Sequence, residues 1–220
     1  MAVLRPLKVI LTNFPAGQME WLEIENNPEN PEMGARQMPL TREIYIEQED
    51  FMENPIKKFF RLRPEGEVRL KGAYIIKCEK IIKDENGTIT ELHCTYDPDT
   101  KSGGPAAGRK VKGTLHWISA SHAIPAEVRL YDNLFLNENP DEEDEGKNFK
   151  DFINPRSLDI LTGCMVEPWL VDASPDDRYQ FLRSGYFVQD YASSKDRLIF
   201  NRIVALKDSW AKVAKKLAVT

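Results

Sequence analysis

Asn86-Gly87 stands between two alternating runs in AYIIKCEKIIKDENGTITELHCTYD (73–97). Asn-Gly favours a type I′ turn, because both central residues then need positive φ. A β-hairpin at this place constrains the rest, since an antiparallel pair must find neighbours that cover its apolar side. The chain supplies them. VLRPLKVILT (3–12), REIYIEQEDF (42–51), VKGTLHWISA (111–120) and AEVRLYDNLF (126–135) all read as strands. In 42–51, Ile44 and Ile46 point one way, Tyr45 and Glu47 the other. Three more strand-like runs follow: CMVEPWLV, DRYQFLRSGYFVQDY and RLIFNRIVALKD. Between them lie a long loop at 26–39, a Gly- and Pro-rich loop at 97–110 and an acidic loop at 139–148. Residues 148–161 hold at most one helical turn either side of Pro155. Only 208–219 has a helical pattern, with Trp210, Val213 and Leu217 on one face. About ten short strands with a turn signal every 8–12 residues or so predict an all-β chain of barrels or sandwiches. At 220 residues, two small barrels are expected in place of one large one.

Composition narrows the function classes. The chain is 41% apolar and 30% charged, and no apolar run approaches the roughly 20 residues of a membrane span. The N-terminal MAVLRPLKVILTNFP lacks the pattern of a signal peptide. Cys78, Cys94 and Cys164 are an odd number without CxxC spacing. They predict reduced thiols in a cytoplasmic protein, not a disulfide frame or a zinc knuckle. A net charge of −5 disfavours indiscriminate binding of nucleic acid but allows a local basic site.

One stretch is basic. KKFFRLRPEGEVRLK (57–71) holds six cationic and two anionic side chains. Read as two strands about the Pro64-Glu65-Gly66 turn, it puts Phe59, Arg61 and Arg63 on one face and Phe60 and Leu62 on the other. After the turn, Arg69 and Lys71 share a face, and Val68 and Leu70 point away. Cations with an aromatic suit phosphates, guanine edges and unpaired bases. An ordinary strand pair whose Lys and Arg guard an edge remains the alternative.

No catalytic constellation is visible. The loop Ser102–Lys110 lacks the Lys-Ser/Thr and the following helix of a phosphate-binding P-loop. His93, His116 and His122 have no cysteine or carboxylate spacing that completes a metal set. Ser121, His122 and Asp132 could be drawn as a triad, but no nucleophile elbow or oxyanion motif accompanies them. A hydrolase using His122, or a protein-binding or ribosome-associated β-barrel, stands as the reading from another class.

Several stretches together carry a resemblance: AVLRPLKVILTNFP, NNPENPEMGARQMPLTREIYIEQEDFME, FFRLRPEGEVRLKGAYIIKCEKIIKDENG, HCTYDPDT, GRKVKGTLHWISASHAIPAEVRLYDNLF, and GYFVQDY with FNRIVALKDSW. In order and spacing they resemble the C-terminal anticodon-binding region of glutaminyl-tRNA synthetase, over about residues 2–212. Glutamyl enzymes of archaeal and eukaryotic type share that architecture and are the runner-up. The resemblance implies two six-stranded antiparallel β-barrels related to a ribosomal protein family. One, proximal to a catalytic domain, would take residues 1–50 and 137–212, and the other, distal, residues 51–136, with 213–220 a tail. It also implies that a nucleotide-binding Rossmann domain with HIGH-like and KMSKS-like motifs precedes this chain. No such motif occurs in the 220 residues. The chain is therefore expected to be a monomeric, non-catalytic fragment. The ATP and magnesium used to join glutamine to its tRNA would belong to the other domain, and no cofactor to this one.

The resemblance further implies residue roles. Arg61 falls where the family reads the third anticodon base, a guanine. Arg69 and Lys71 fall where it holds the first base and its phosphate, with lysine replacing an arginine at 71. Gln180 falls on the glutamine that reads the central uracil, and Arg183 on a nearby basic contact. Lys58, in place of a glutamine, and Asn30, Lys207 and Ser209 fall on further contacts; Arg63 receives no role. A regular strand would send Gln180 and Arg183 to opposite faces, so a bend or bulge near Ser184-Gly185 is expected.

Overall fold

The computed structural model describes residues 1–140 and 148–206. The acidic run 141–145 and the helical pattern at 208–219 lie outside them. Among the described residues the chain is all-β, with only short 3-10 turns between strands. By contact it divides into two units, residues 1–125 with 163–170, and residues 126–162 with those from 171 onward.

The first unit carries β1 (Ala2–Val3), β2 (Pro6–Leu11), β3 (Met19–Glu25), β4 (Ala35–Thr41), β5 (Glu43–Glu47), β6 (Glu67–Leu70), β7 (Ile75–Lys83), β8 (Ile89–Asp97), β9 (Thr114–Leu115) and β10 (Ile118–Ser119). One seven-stranded sheet runs β10-β5-β2-β8-β7-β6-β9. Its outer strands, β9 and β10, are separated in the chain only by His116 and Trp117. Residues 114–119 therefore bridge both edges, and the sheet nearly closes into a barrel. Closure leaves few unpaired backbone groups at an edge. It also uses parallel pairs, β2–β8 and β6–β9, so the barrel is mixed in direction and not wholly antiparallel. Alternation fills its interior: Val9, Leu11, Ile44, Ile46, Leu70, Leu92 and Trp117 are fully buried. Glu47 departs from the expected outward face. It is buried, and its carboxylate accepts from the backbone N–H groups of Leu4 and Arg5 at 2.7 and 2.9 Å. β3 and β4 form a separate ribbon, so the second half of the stretch expected as loop at 26–39 is strand.

The hairpin forms as β7 and β8, but its turn differs from the expected type I′. Only Gly87, at φ 82, has positive φ; Asn86 does not. The Asp84 carboxylate accepts from the N–H groups of Asn86 and Thr88, and Asp84 N–H bonds to the Thr88 carbonyl. That side chain organises a three-residue loop in which glycine alone takes the left-handed position.

The second unit holds most of β11 (Ile124–Tyr131), the start of β12 (Leu158–Val166), β13 (Tyr179–Phe181), β14 (Gly185–Gln189) and β15 (Leu198–Ala205). Their order, β12-β11-β15-β14-β13, makes a half-barrel in which β11 and β15 are parallel. Phe181 stacks on Phe187 with centroids 4.3 Å apart, and Phe200 meets Phe181 edge-on at 5.3 Å. These three rings are its buried centre.

Candidate nucleic-acid interface

The basic stretch 57–71 lies in the first unit, and only its second half is a strand. Lys58 takes φ 72, a left-handed conformation. The chain therefore leaves extended geometry just before the two phenylalanines, and their directions are the reverse of the sequence expectation. Phe59 is buried and Phe60 is 50% exposed. Residues 57–63 form a loop with one isolated bridge, Leu62 to Phe51. Lys112 Nζ lies over the Phe60 ring, 5.2 Å from its centre. Gly113 packs so closely on the Phe60 carbonyl that a Cβ there would sit 2.2 Å from the oxygen. The Gly113 carbonyl in turn accepts from Arg69 N–H at 2.9 Å. Backbone contacts through Gly113 thus tie the Phe60 loop to β6 at Arg69.

After the turn the alternation holds. Val68 and Leu70 are buried in β6, with Arg69 between them on the other face. Glu65, not Gly66, supplies the left-handed residue of the turn, at φ 54. Lys71 lies just beyond β6, half-buried, its N–H bonded to the Leu115 carbonyl.

The two arginines are engaged within the protein. Arg61 Nη1 meets Glu49 through its carbonyl at 3.1 Å and its carboxylate at 3.2 Å, and Asp50 Oδ1 at 3.4 Å. Arg69 donates to three carbonyls of the Gly- and Pro-rich loop: Thr100 at 2.8 Å, Ala107 at 3.1 Å and Arg109 at 3.2 Å. Arg109 is itself held by Glu67 and Asp97, and the Glu67 hydrogen bond raises its already high pKa. The loop at 97–110 is thus pinned from both ends. Of the other basic residues here, Lys58 and Arg63 are exposed.

Asn30 is exposed and caps the 3-10 turn Pro31–Met33, accepting from Glu32 N–H at 3.1 Å. Gln180 and Arg183 lie in the second unit. Gln180 is exposed at the centre of β13, opposite Tyr186 of β14. Arg183 follows the end of β13 and takes φ 66 in the turn to β14. Strand alternation stops governing it, so the chain bends by ending the strand. A register shift does occur, but between Tyr186 and Phe187 against β15. Lys207 and Ser209 lie outside the described residues.

Two of the three histidines have hydrogen-bond partners, while both ring nitrogens of the buried His116 have none. His93 Nε2 lies 2.7 Å from Glu91, and His122 Nδ1 lies 3.1 and 3.0 Å from the Ser119 and Ser121 hydroxyls. Asp132 instead donates its backbone N–H to the Ser157 carbonyl, and its carboxylate accepts from Asn133 N–H at 2.8 Å. Among the described residues no group of three His, Cys, Asp or Glu gathers as a metal set. No helix there is long and apolar enough to cross a membrane.

Sequence reasoning missed Phe60, Lys112 and the Glu49–Asp50 pair behind Arg61. No glycine or asparagine marks the left-handed residue at 58, so the phase error had no local signal. A solvent-exposed aromatic beside an ammonium group can stack on a base while the cation meets phosphate.

Two models described as "tRNA synthetases class I (E and Q), anti-codon binding domain" match residues 1–97 and 114–190. A glutamine–tRNA ligase of Clostridium perfringens is 58% identical over 96% of this chain, one of Nitrobacter winogradskyi 55% over 97%, and one of Pseudomonas putida 53% over 96%. The chain spans 38, 38 and 37% of the length of these relatives. With both models covering most of its residues, the chain belongs to the anticodon-binding region of the class I tRNA synthetases of the E and Q type.

Proposed function

We propose that this chain is the part of a glutamine–tRNA ligase that reads the anticodon of glutamine tRNA. The observation that carries the reading is the identity above one half, over nearly the whole chain, to proteins named glutamine–tRNA ligase. The parent enzyme would join glutamine to its tRNA with ATP in a catalytic domain outside this chain, acting as a monomer in the cytoplasm. The chain itself would bind and not catalyse. The barrel of the first unit would meet the first and third anticodon bases, and the second unit the central base.

The geometry supports a division of labour. Arg61 would read the third-position guanine: O6 and N7 would replace the exposed Glu49 carboxylate, while buried Asp50 keeps hold of the guanidinium. Phe60 and Lys112 would receive an unstacked base and its phosphate. Lys71 would supply charge at the first base without a planar fork. Arg69 would act mainly by shaping the loop it holds. Gln180 would hydrogen-bond the central uracil, with Arg183 beside it in the turn. Lys58, Asn30, Lys207 and Ser209 would add contacts to the RNA backbone. Binding to a glutamine-tRNA anticodon stem-loop, with the third-position guanine kept or exchanged, tests the reading. A loss of about 1–3 kcal/mol on exchange is expected. Equal binding of the exchanged loop and of unrelated hairpins would overturn it.

A further inference from the structure

Cys78 of β7 and Cys94 of β8 face each other across the hairpin ladder. Both are free and buried. Their backbone bonds point away from one another. Cys78 donates to the Gly66 carbonyl and accepts from Glu65 N–H, on the side away from β8. The Cys94 carbonyl accepts from Thr12 N–H, at the end of β2. The pair therefore occupies a non-hydrogen-bonded site of the antiparallel ladder. Such sites bring Cα atoms to about 4.5 Å, within the range a disulfide spans.

We propose that Cys78 and Cys94 form a dithiol site that hydrogen peroxide converts to a cross-strand disulfide. The Cys78 sulfur attacks one peroxide oxygen, and the O–O bond breaks. Cys78 becomes a sulfenic acid, and the leaving hydroxide takes the thiol proton to become water. The Cys94 sulfur then attacks the Cys78 sulfur, displacing the hydroxyl as a second water with the Cys94 proton. Two thiols are oxidised to one disulfide and one peroxide is reduced to two waters.

The order of attack follows from the surroundings. The hydrogen bond between the sulfurs lowers the Cys78 pKa and raises that of Cys94, so Cys78 is the better thiolate. The ladder slips beside Cys78, leaving Glu79 without a register partner on β8, although its carboxylate accepts from Thr95 Oγ1 at 3.1 Å. Local opening at such a bulge admits an oxidant little larger than water. Cys94 needs no external access, because its target is Cys78. Cys164, which donates to the Leu4 carbonyl at 3.3 Å, has no cysteine opposite it and serves as the internal control.

Hydrogen peroxide treatment of the folded chain, alkylation under denaturing conditions and peptide mapping test this. The expected product has Cys164 alkylated and the tryptic peptides of Cys78 and Cys94 joined by a bond that dithiothreitol dissolves. With Cys94→Ser, the same treatment should leave a dimedone-reactive Cys78 and no cross-link. Three alkylated cysteines in the wild-type chain, or sulfinic acid at Cys78 without a cross-link, overturn the proposal. So does a bond to Cys164. The wild-type result decides by itself if the variant does not fold.

Discussion

Arg61 Nη1 lies 3.4 Å from Oδ1 of Asp50, and the Asp50 side chain has no exposed surface. A buried carboxylate needs compensation, and Arg61, itself only 15% exposed, contributes it. The same guanidinium is the proposed guanine reader, so it has two roles that one substitution cannot separate. Arg61→Ala should lower the stability of the first unit by about 1–3 kcal/mol as well as abolish guanine preference. Arg61→Lys should keep most of the stability, because an ammonium can still face Asp50, yet lose the preference with the planar fork. Thermal melts beside stem-loop titrations check this. An alanine variant that melts like wild type would remove the structural role.

Arg69 spends its guanidinium on the carbonyls of Thr100, Ala107 and Arg109. Arg69→Met should therefore free the loop, cost about 1–3 kcal/mol and speed tryptic cleavage after Lys101, Arg109 or Lys110. Its effect on the salt dependence of RNA binding should be small. Lys71→Met should instead reduce the slope of log K against log salt by about 1, as loss of one phosphate contact does. Limited proteolysis and a salt titration distinguish the two. A larger slope change for Arg69 than for Lys71 would restore the direct phosphate role to Arg69.

The adjacent phenylalanines give an opposed pair of outcomes. Phe59, 7% exposed, is core, and Phe59→Ala should cost about 3–5 kcal/mol of stability. Phe60, 50% exposed, should cost little stability on change to Ala but about 1–3 kcal/mol of RNA affinity if a base stacks there. Equilibrium unfolding and binding of the same two variants decide it. Strand alternation through residue 58 would predict the reverse.

That reversal marks where the fold was legible in the sequence and where it was not. Period-two alternation located β2, β5, β7 and β8, because one buried face fixes which residues point inward. It failed where a single non-glycine residue takes positive φ without any compositional sign, as at Lys58. It failed again where a side chain replaces a backbone preference, as Asp84 does beneath Asn86-Gly87. The candidate site followed the same division. Arg69 does lie on the face of β6 opposite buried Val68 and Leu70, as alternation predicts. The pairing of Arg61 with Glu49 and Asp50, and of Lys112 with Phe60, joins segments that no sequence period relates.

Acid should weaken the second unit in a defined direction. The Asp190 carboxylate accepts from Asn201 Nδ2 at 2.7 Å and Ala192 N–H at 2.8 Å, and meets Arg129 Nη1 at 3.1 Å. The Asn201 and Ala192 hydrogen bonds, helped by the Arg129 charge, hold its pKa below the ordinary aspartate value. Glu127 is held down likewise, by hydrogen bonds first from Arg197 and then from Arg129. A folded-state pKa below the unfolded one gives stability that is complete above the unfolded value of about 4 and lost as pH falls through the folded value. Amide exchange in β14 and β15 should thus be steady from about pH 7 to pH 5, once corrected for intrinsic rates, and lose protection below about pH 4. Asp190→Asn removes the titrating group, so it should lower protection at neutral pH and make the acid loss shallower. An acid profile unchanged in that variant would assign the transition to other carboxylates.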